Sequence, residues 1–237
     1  MILITMAGAS SRFTSIGYEK KWKLPLAGKS VLRHVLEPIY QKSDEEIYLV
    51  YDSIDSKDVD NDLKEFFPLI KAIDIKGLSR GQSETAYMGL QRMNSLSKSE
   101  RLIIWNIDTL RNDWEILNSL EEGVNYFECF ERNGDQWSFA KIDSKSNVIE
   151  TTEKVRISKW CSTGLYIFES IQLYEECFVD YYGAKYSKSE MYIAPMFNWL
   201  IKNNRKVKMI NSSDVEMLSV GIPEEYEAIK NNWSKWF

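Results

Sequence analysis

The stretch Ile2-Leu3-Ile4-Thr5-Met6-Ala7-Gly8-Ala9-Ser10-Ser11-Arg12-Phe13 decides the fold. Its first four residues form a short apolar strand. They run directly into a turn of small residues closed by an arginine. Small side chains let backbone N–H groups come close to an anion, and an arginine at the far end can grip that anion with two parallel donors. The segment therefore has the makings of a phosphate-holding turn at the end of the first strand of an α/β domain.

Strand and helix patterns alternate outward from it. Residues 30–40 (SVLRHVLEPIY) read as a helix, with Ser30 as N-cap and apolar residues at helical spacing. Residues 46–51 (EIYLVY) read as a strand, 58–67 as a short helix and 71–75 as a weaker strand. A helix over 83–93 opens after Gly81, and 101–107 (RLIIWNI) is a buried strand. This alternation predicts an α/β fold: a mixed, mainly parallel sheet with helices on both faces. Residues 125–130, 138–142, 148–151 and 162–168 read as further strands, 190–201 as a helix and 206–210 as a strand. A closing helix spans 223–233, with Pro223 in its first turn. The charged run 43–46 reads as a solvated loop. No Gly/Pro/Ser-rich linker, repeat or low-complexity tract divides the chain, and 237 residues suit one domain, 1–237.

A net charge of -5, from 30 Lys+Arg against 35 Asp+Glu, argues against nucleic acid as a partner, because phosphate-backbone binding needs a basic excess. A small anionic ligand held locally remains compatible. The hydrophobic share of 44% is that of an ordinary soluble globular protein, and the 8 Trp and 13 Tyr read as core and lid packing. Cys129, Cys161 and Cys177 show neither metal-ligand spacing nor a disulfide framework, which fits a reducing cytoplasm. No secretory signal pattern is visible, and no stretch nears the roughly 20 apolar residues of a membrane span. A cytoplasmic protein without a membrane partner is expected; a homo-oligomer stays open.

Three constellations could carry chemistry, the first being the turn itself with the lysines that follow it. Lys20, Lys21 and Lys23, interleaved with Trp22, could neutralise a polyphosphate or form a solvated basic loop. Gly28-Lys29-Ser30 mimics the end of a P-loop, but the glycine required five positions earlier is Lys23, so the segment reads as a turn before a helix. Trp105-Asn106-Ile107-Asp108-Thr109 ends an apolar strand in an aspartate, where a carboxylate suits either Mg²⁺ or a helix N-cap. Arg80-Gly81-Gln82-Ser83-Glu84-Thr85 opens a helix: Gln82 could pair with a base edge, or Ser83 could simply cap. His34, the only histidine, lies within a helix pattern and is read as packing, which disfavours Ser-His-Asp or Cys-His acyl transfer.

In order, Ala7 to Phe13, Gly17-Tyr18, Lys21, LPLAGKS (24–30), Gly81 to Thr85, Asn106 to Asp108, ETTEK (150–154), STGLY (162–166) and VGIPE (220–224) resemble the sugar-nucleotidyltransferase (nucleotide-sugar pyrophosphorylase) family. The similarity spans nearly the whole chain and leans toward a short branch associated with capsule and surface polysaccharides. It implies a Rossmann-like, GT-A-like nucleotidyltransferase fold, with a nucleotide-binding half over about 1–115 and an acceptor-binding half over about 116–237. The implied reaction joins an NTP, with CTP, UTP or dTTP favoured, to a sugar 1-phosphate or other phosphorylated small molecule and releases pyrophosphate.

The resemblance also implies roles. The backbone of Ala7, Gly8, Ala9, Ser10 and Ser11 would cradle the nucleotide, and Arg12 the leaving pyrophosphate. Lys21 would meet the α-phosphate and the attacking phosphate. Gly81, Gln82, Thr85 and Asn106 would contact the nucleotide, Asp108 would hold Mg²⁺, and Glu153, Lys154 and Gly164 would face the acceptor. Two departures stand out. The family's Pro-Lys pair is Lys20-Lys21 here, with Lys23 as an alternative lysine. Where many members carry an aspartate before Gly-Thr-Pro as a second metal ligand, this chain has Ser219-Val220-Gly221-Ile222-Pro223, leaving Asp214, Glu216 or no residue for that role. Alternatives are a GT-A-type glycosyltransferase releasing a nucleoside diphosphate, and an inactive nucleotide-binding module.

Overall fold

In the computed structural model, which describes residues 1–93, 97–183 and 190–235, the first strand β1 (Ile2–Thr5) is buried on both sides. Successive strand residues point to opposite faces. Ile2 and Ile4 accordingly enter one apolar cluster and Leu3 the other. A strand buried on both faces needs helices above and below, and the chain supplies them.

After β1 come a four-residue helix α1 (Ser11–Thr14), the ribbon β2 (Pro25–Leu26) and β3 (Lys29–Ser30), helix α2 (Val31–Lys42) and strand β4 (Ile47–Tyr51). Helix α3 (Ser56–Phe66), strand β5 (Lys71–Asp74), helix α4 (Gln82–Leu90), strand β6 (Leu102–Asn106) and the short β7 (Thr109–Arg111) follow. The second half holds β8 (Asn125–Glu131), β9 (Ser138–Ile142), β10 (Val148–Glu153), β11 (Trp160–Phe168), α5 (Ile171–Tyr182), α6 (Phe197–Lys202), β12 (Val207–Asn211), β13 (Met217–Ser219) and α7 (Pro223–Asn231).

The nine-stranded sheet runs β10-β9-β11-β6-β1-β4-β5, with β8 pairing both β11 and β12. Its centre, β6-β1-β4-β5, is wholly parallel, and β11 meets β6 antiparallel. Helices α2, α3 and α7 cover the Ile2/Ile4 face, and α4, α5 and α6 cover the Leu3 face. The α/β expectation holds, and the carboxyl ends of β1, β4 and β6 open at one edge.

Three helices differ most from the sequence reading. Helix α5 was not expected, although Ser170 caps it by accepting from the Leu173 N–H at 3.1 Å and Ile171, Tyr174, Cys177 and Phe178 line its buried side. The helix expected over 190–201 is interrupted: Ala194–Met196 form a tight 3-10 turn and only Phe197–Lys202 are α-helical. Pro195 explains this, because it has no N–H to donate to the carbonyl of Met191, four residues back, and its ring crowds that carbonyl. The freed Met191 carbonyl accepts instead from the backbone and hydroxyl of Ser83. The helix expected over 83–93 ends at Leu90.

Candidate active site

The turn after β1 offers donors without partners. Met6 still donates to Val50 O at 2.8 Å, but among the described residues nothing accepts from the backbone N–H groups of Ala7 to Arg12. Ala7 is buried, whereas Gly8, Ala9, Ser11 and Arg12 are exposed. Ser10 holds the turn with a left-handed backbone (φ 51°) and a carbonyl that accepts from Phe13 at 2.9 Å. Phe13 anchors it from below, edge-on to Tyr18 and Tyr226. The Arg12 guanidinium makes no hydrogen bond or ion pair among the described residues. Unpartnered amides beside an uncommitted arginine make this turn a candidate anion site.

The three lysines separate by their partners. Lys20 Nζ pairs at 2.7 Å with Asp55, a buried residue in the loop after β4. Lys23 pairs with Asp58 and holds that carboxyl below its usual range. Lys21 alone joins the anion turn: its N–H reaches Ser10 Oγ at 3.3 Å, and its ammonium lies 2.5 Å from Asp108 Oδ2. Lys20 stands where the family proline would be. Its φ of -56° is proline-like, and the ion pair to Asp55 supplies stiffness by another route.

Asp108 caps no helix. It follows β6 at the mouth of the ribbon made by β7 and β13, where Ser219 lies opposite Thr109 and Val220 donates to Asp108 O at 2.8 Å. Met217 pairs with Arg111 at the far end of that ribbon, so Glu216, just beyond it and exposed, is separated from Asp108 by the length of β13, and Asp214 is exposed in the turn before it. The carboxylate near Asp108 is Glu225 on α7. A Cβ placed on Gly221 would sit 3.5 Å from Glu225 Oε2 and 3.7 Å from Asp108 Oδ2.

These residues fit a hard divalent cation. Mg²⁺ takes one or two protein carboxylates and keeps waters and phosphate oxygens. Here two carboxylates flank an open glycine, and the Lys21 ammonium already stands against one of them as a cation. Among the described residues no group of three or more His, Cys, Asp or Glu forms a closed cage.

The Gly81 loop is clamped from the second half. Gly81 has φ 151°, and a Cβ there would lie 2.5 Å from Met191 O. Met191 donates to Arg80 O at 2.8 Å and accepts from Ser83 N at 3.2 Å and Ser83 Oγ at 2.8 Å. Thr85 is buried, and its hydroxyl donates to Gly81 O at 3.1 Å, so it shapes the loop. The Gln82 amide Nε2 is buried with no hydrogen-bond partner among the described residues.

The expected acceptor residues meet this edge. Gly164 sits at a bulge in β11 with φ 93°, and a Cβ there would fall 2.2 Å from Asn106 Nδ2. Asn106 Oδ1 is likewise buried and unpartnered among the described residues. Burial pushes the Glu153 carboxyl up, while the Ser138 hydroxyl and Lys154 pull it back. Lys154 has a left-handed backbone (φ 57°), and its ammonium touches the Tyr192 hydroxyl, which also bonds to Glu190. Burial and Glu190 raise the Tyr192 phenol, and the charge of Arg12 opposes them. Sequence reasoning named neither Tyr192 nor Glu225, and nothing local marks them. His34 packs as expected: it bonds Leu26 O at 2.7 Å, stacks on Trp233, and burial lowers its pKa. The three cysteines are free and buried. No helix among the described residues is long and apolar enough to cross a membrane.

The same architecture recurs in solved nucleotidyltransferases. The chain is similar to the nucleoside-diphosphate-sugar pyrophosphorylase from Vibrio cholerae RC9, at 29% identity and a TM-score of 0.84, over 98% of this chain and 100% of that one. A Bacillus anthracis protein described as a glucose-1-phosphate thymidylyltransferase, in complex with a sucrose, superposes at 0.75 with 17% identity, over 97% and 93% of the two chains. The inositol-1-phosphate CTP transferase from T. maritima superposes at 0.75 with 13% identity, over 94% and 89%. No protein-family model and no curated protein matches the chain. The fold is that of the nucleotidyltransferases.

Proposed function

We propose that this chain is a nucleotidyltransferase that joins an NTP to a phosphorylated small molecule, foremost a sugar 1-phosphate, and releases pyrophosphate. The observation that carries this reading is the convergence of the open amides of Ala7 to Arg12, the free Arg12 and the Lys21–Asp108 pair on one edge of the parallel sheet. The Vibrio cholerae neighbour, similar end to end, supports it. Capsule or surface-polysaccharide synthesis is the setting implied by the sequence resemblance alone.

The roles follow from charge and reach. The Ala7–Ser11 backbone cradles the nucleotide and its phosphates. Arg12 neutralises the β- and γ-phosphates as pyrophosphate leaves. Lys21 holds the α-phosphate and the incoming phosphate of the acceptor, which attacks the α-phosphorus in line. That oxygen is already ionised at neutral pH, so no protein base is needed; positioning and charge neutralisation suffice. Mg²⁺ on Asp108, when bound, screens the phosphate oxygens from one another. The unpartnered Gln82 amide donates to a base carbonyl, which disfavours adenine, and the sequence resemblance favours a pyrimidine. Glu153, Lys154 and Gly164 face the acceptor.

A pyrophosphate-release screen of four NTPs against a panel of phosphorylated sugars tests this. Arg12→Ala and Asp108→Ala are each expected to cut turnover by about 100-fold or more, the scale of one lost charge stabiliser. Full pyrophosphate release by Asp108→Ala would sink the metal assignment. Release of a nucleoside diphosphate would make the protein a glycosyltransferase, and nucleotide binding without turnover across the panel would make it a binding module.

A further inference from the structure

We infer that Glu225 is the second carboxylate of the divalent-cation site, replacing from helix α7 the acidic side chain that strand β13 lacks at Ser219. The inference rests on the reading of Asp108 given under Proposed function, and it concerns this chain's own residues.

Antiparallel pairing of β13 with β7 sets Ser219 opposite Thr109, one residue past Asp108. A serine there brings no charge. Its hydroxyl instead donates to Glu225 Oε2 at 2.8 Å, and the Gly221 N–H donates to the same oxygen at 3.1 Å. Two donors on one oxygen hold the carboxylate in place. The other oxygen, Oε1, takes no hydrogen bond among the described residues.

Capping is the competing account, because Glu225 is the third residue of α7, where a glutamate commonly reaches back to the N-terminal backbone. Capping alone explains the bond to the Gly221 N–H. That bond and the one from Ser219 set Oε2 so that one point beside Gly221, which has no side chain, lies 3.5 Å from it and 3.7 Å from Asp108 Oδ2. Two carboxylates facing a common space repel unless a cation stands nearby. Lys21 supplies one now, against Asp108 only. Glu224, next in sequence and exposed, belongs to none of these contacts and serves as the control.

Mn²⁺ titration of the full chain, followed by the electron paramagnetic resonance of the free ion, tests the assignment without reference to turnover. The wild-type protein is expected to bind one Mn²⁺. Asp108→Asn and Glu225→Gln should each weaken binding by about 10-fold or more, the low end of the loss seen when a group supporting a metal is removed. Glu224→Gln should change nothing beyond twofold. The amide of Glu225→Gln still accepts from Ser219 and Gly221, so the helix start is retained, and an unchanged melting temperature checks this. Gly221→Ala is an independent arm: it keeps both carboxylates but fills the space between them, and should also weaken Mn²⁺ by about 10-fold. Wild-type affinity in both Glu225→Gln and Gly221→Ala, with Asp108→Asn impaired, would overturn the proposal, as would the absence of any Mn²⁺ site. Intact, Glu225-dependent Mn²⁺ binding without pyrophosphate release would leave this inference standing while removing the proposed reaction.

Discussion

Replacing Arg111 with methionine should destabilise the protein more than any change at the exposed site residues. Arg111 and Glu128 are both fully buried. One guanidinium nitrogen meets both Glu128 oxygens at 2.8 Å, Nε donates to Asp113 O at 2.6 Å, and the group lies 4.8 Å from the Trp114 ring centre. Glu128 also accepts from Ser212 Oγ at 2.6 Å and from the Thr163 hydroxyl. In Arg111→Met the apolar volume is largely kept, but Glu128 is left with two hydroxyls and no cation. Removing one partner of a buried pair costs about 3–5 kcal/mol. In a chain of this length about 1 kcal/mol corresponds to roughly 2–4 °C, so the melting temperature should fall by roughly 6–20 °C. Calorimetry and denaturant melts read this directly. The double variant Arg111→Met/Glu128→Gln should recover at least half of the loss, because the amide oxygen accepts from one of the two hydroxyls and the amide NH2 donates to the other, without an uncompensated charge. A loss under about 1 kcal/mol in the single variant, or no recovery in the double, would refute the reasoning, since repacking rather than charge would then set the cost.

Two further outcomes follow from particular contacts. Burial raises the folded-state pKa of Glu153 above its ordinary 4.5, so the folded protein favours the protonated form; this contribution is present below about pH 4.5 and is lost as pH rises through the folded value. Glu153→Gln should therefore leave the melting temperature unchanged near pH 4 and raise it near pH 8, and the opposite ordering in a fluorimetric pH series would show that the carboxylate is stabilised by Lys154 instead. Lys20→Ala strips the cation from the buried Asp55 and should cost about 1–3 kcal/mol; adding Asp55→Asn should recover most of it, and equal losses in the single and double variants would show that the pair contributes nothing to the lysine loop.

What the sequence made legible was local. The strand-to-turn step at Thr5–Ala7 and the apolar run into Asn106 and Asp108 are each contained in a few residues, and both lie where expected. So does the Ser30 cap of α2, which accepts from the Arg33 N–H. The choice among Lys20, Lys21 and Lys23 was not local, because their partners Asp55, Asp108 and Asp58 lie 35, 87 and 35 residues away. The β7–β13 ribbon joins two three-residue strands, one from the middle of the chain and one from near its end, with no turn between them to fix the register. That register sets Ser219, not an acidic residue, beside Thr109 and Asp108. Helix α5 was legible in principle from Ser170 and its apolar spacing. The break at Pro195 was legible as well, but not the use made of the Met191 carbonyl that it frees.

The ion pair between Lys21 and Asp108 links cation, nucleotide and acceptor by charge alone. An ammonium 2.5 Å from a carboxylate is largely neutralised, so in this state Lys21 has little attraction left for a phosphate. For Lys21 to act on the α-phosphate, Asp108 must be given another positive charge. On the proposed reading, Asp108 and Glu225 would hold a divalent ion, whose charge would offset both carboxylates and leave the Lys21 ammonium free for a phosphate. Arg12 has no ion pair among the described residues, so on the proposed reading it needs no such release. The same logic ties the acceptor half to this edge, since Gly164 against Asn106 and Met191 against Gly81 leave no gap for a side chain. A displacement of the Asp108 ribbon or the Gly81 loop is therefore felt where the acceptor would bind.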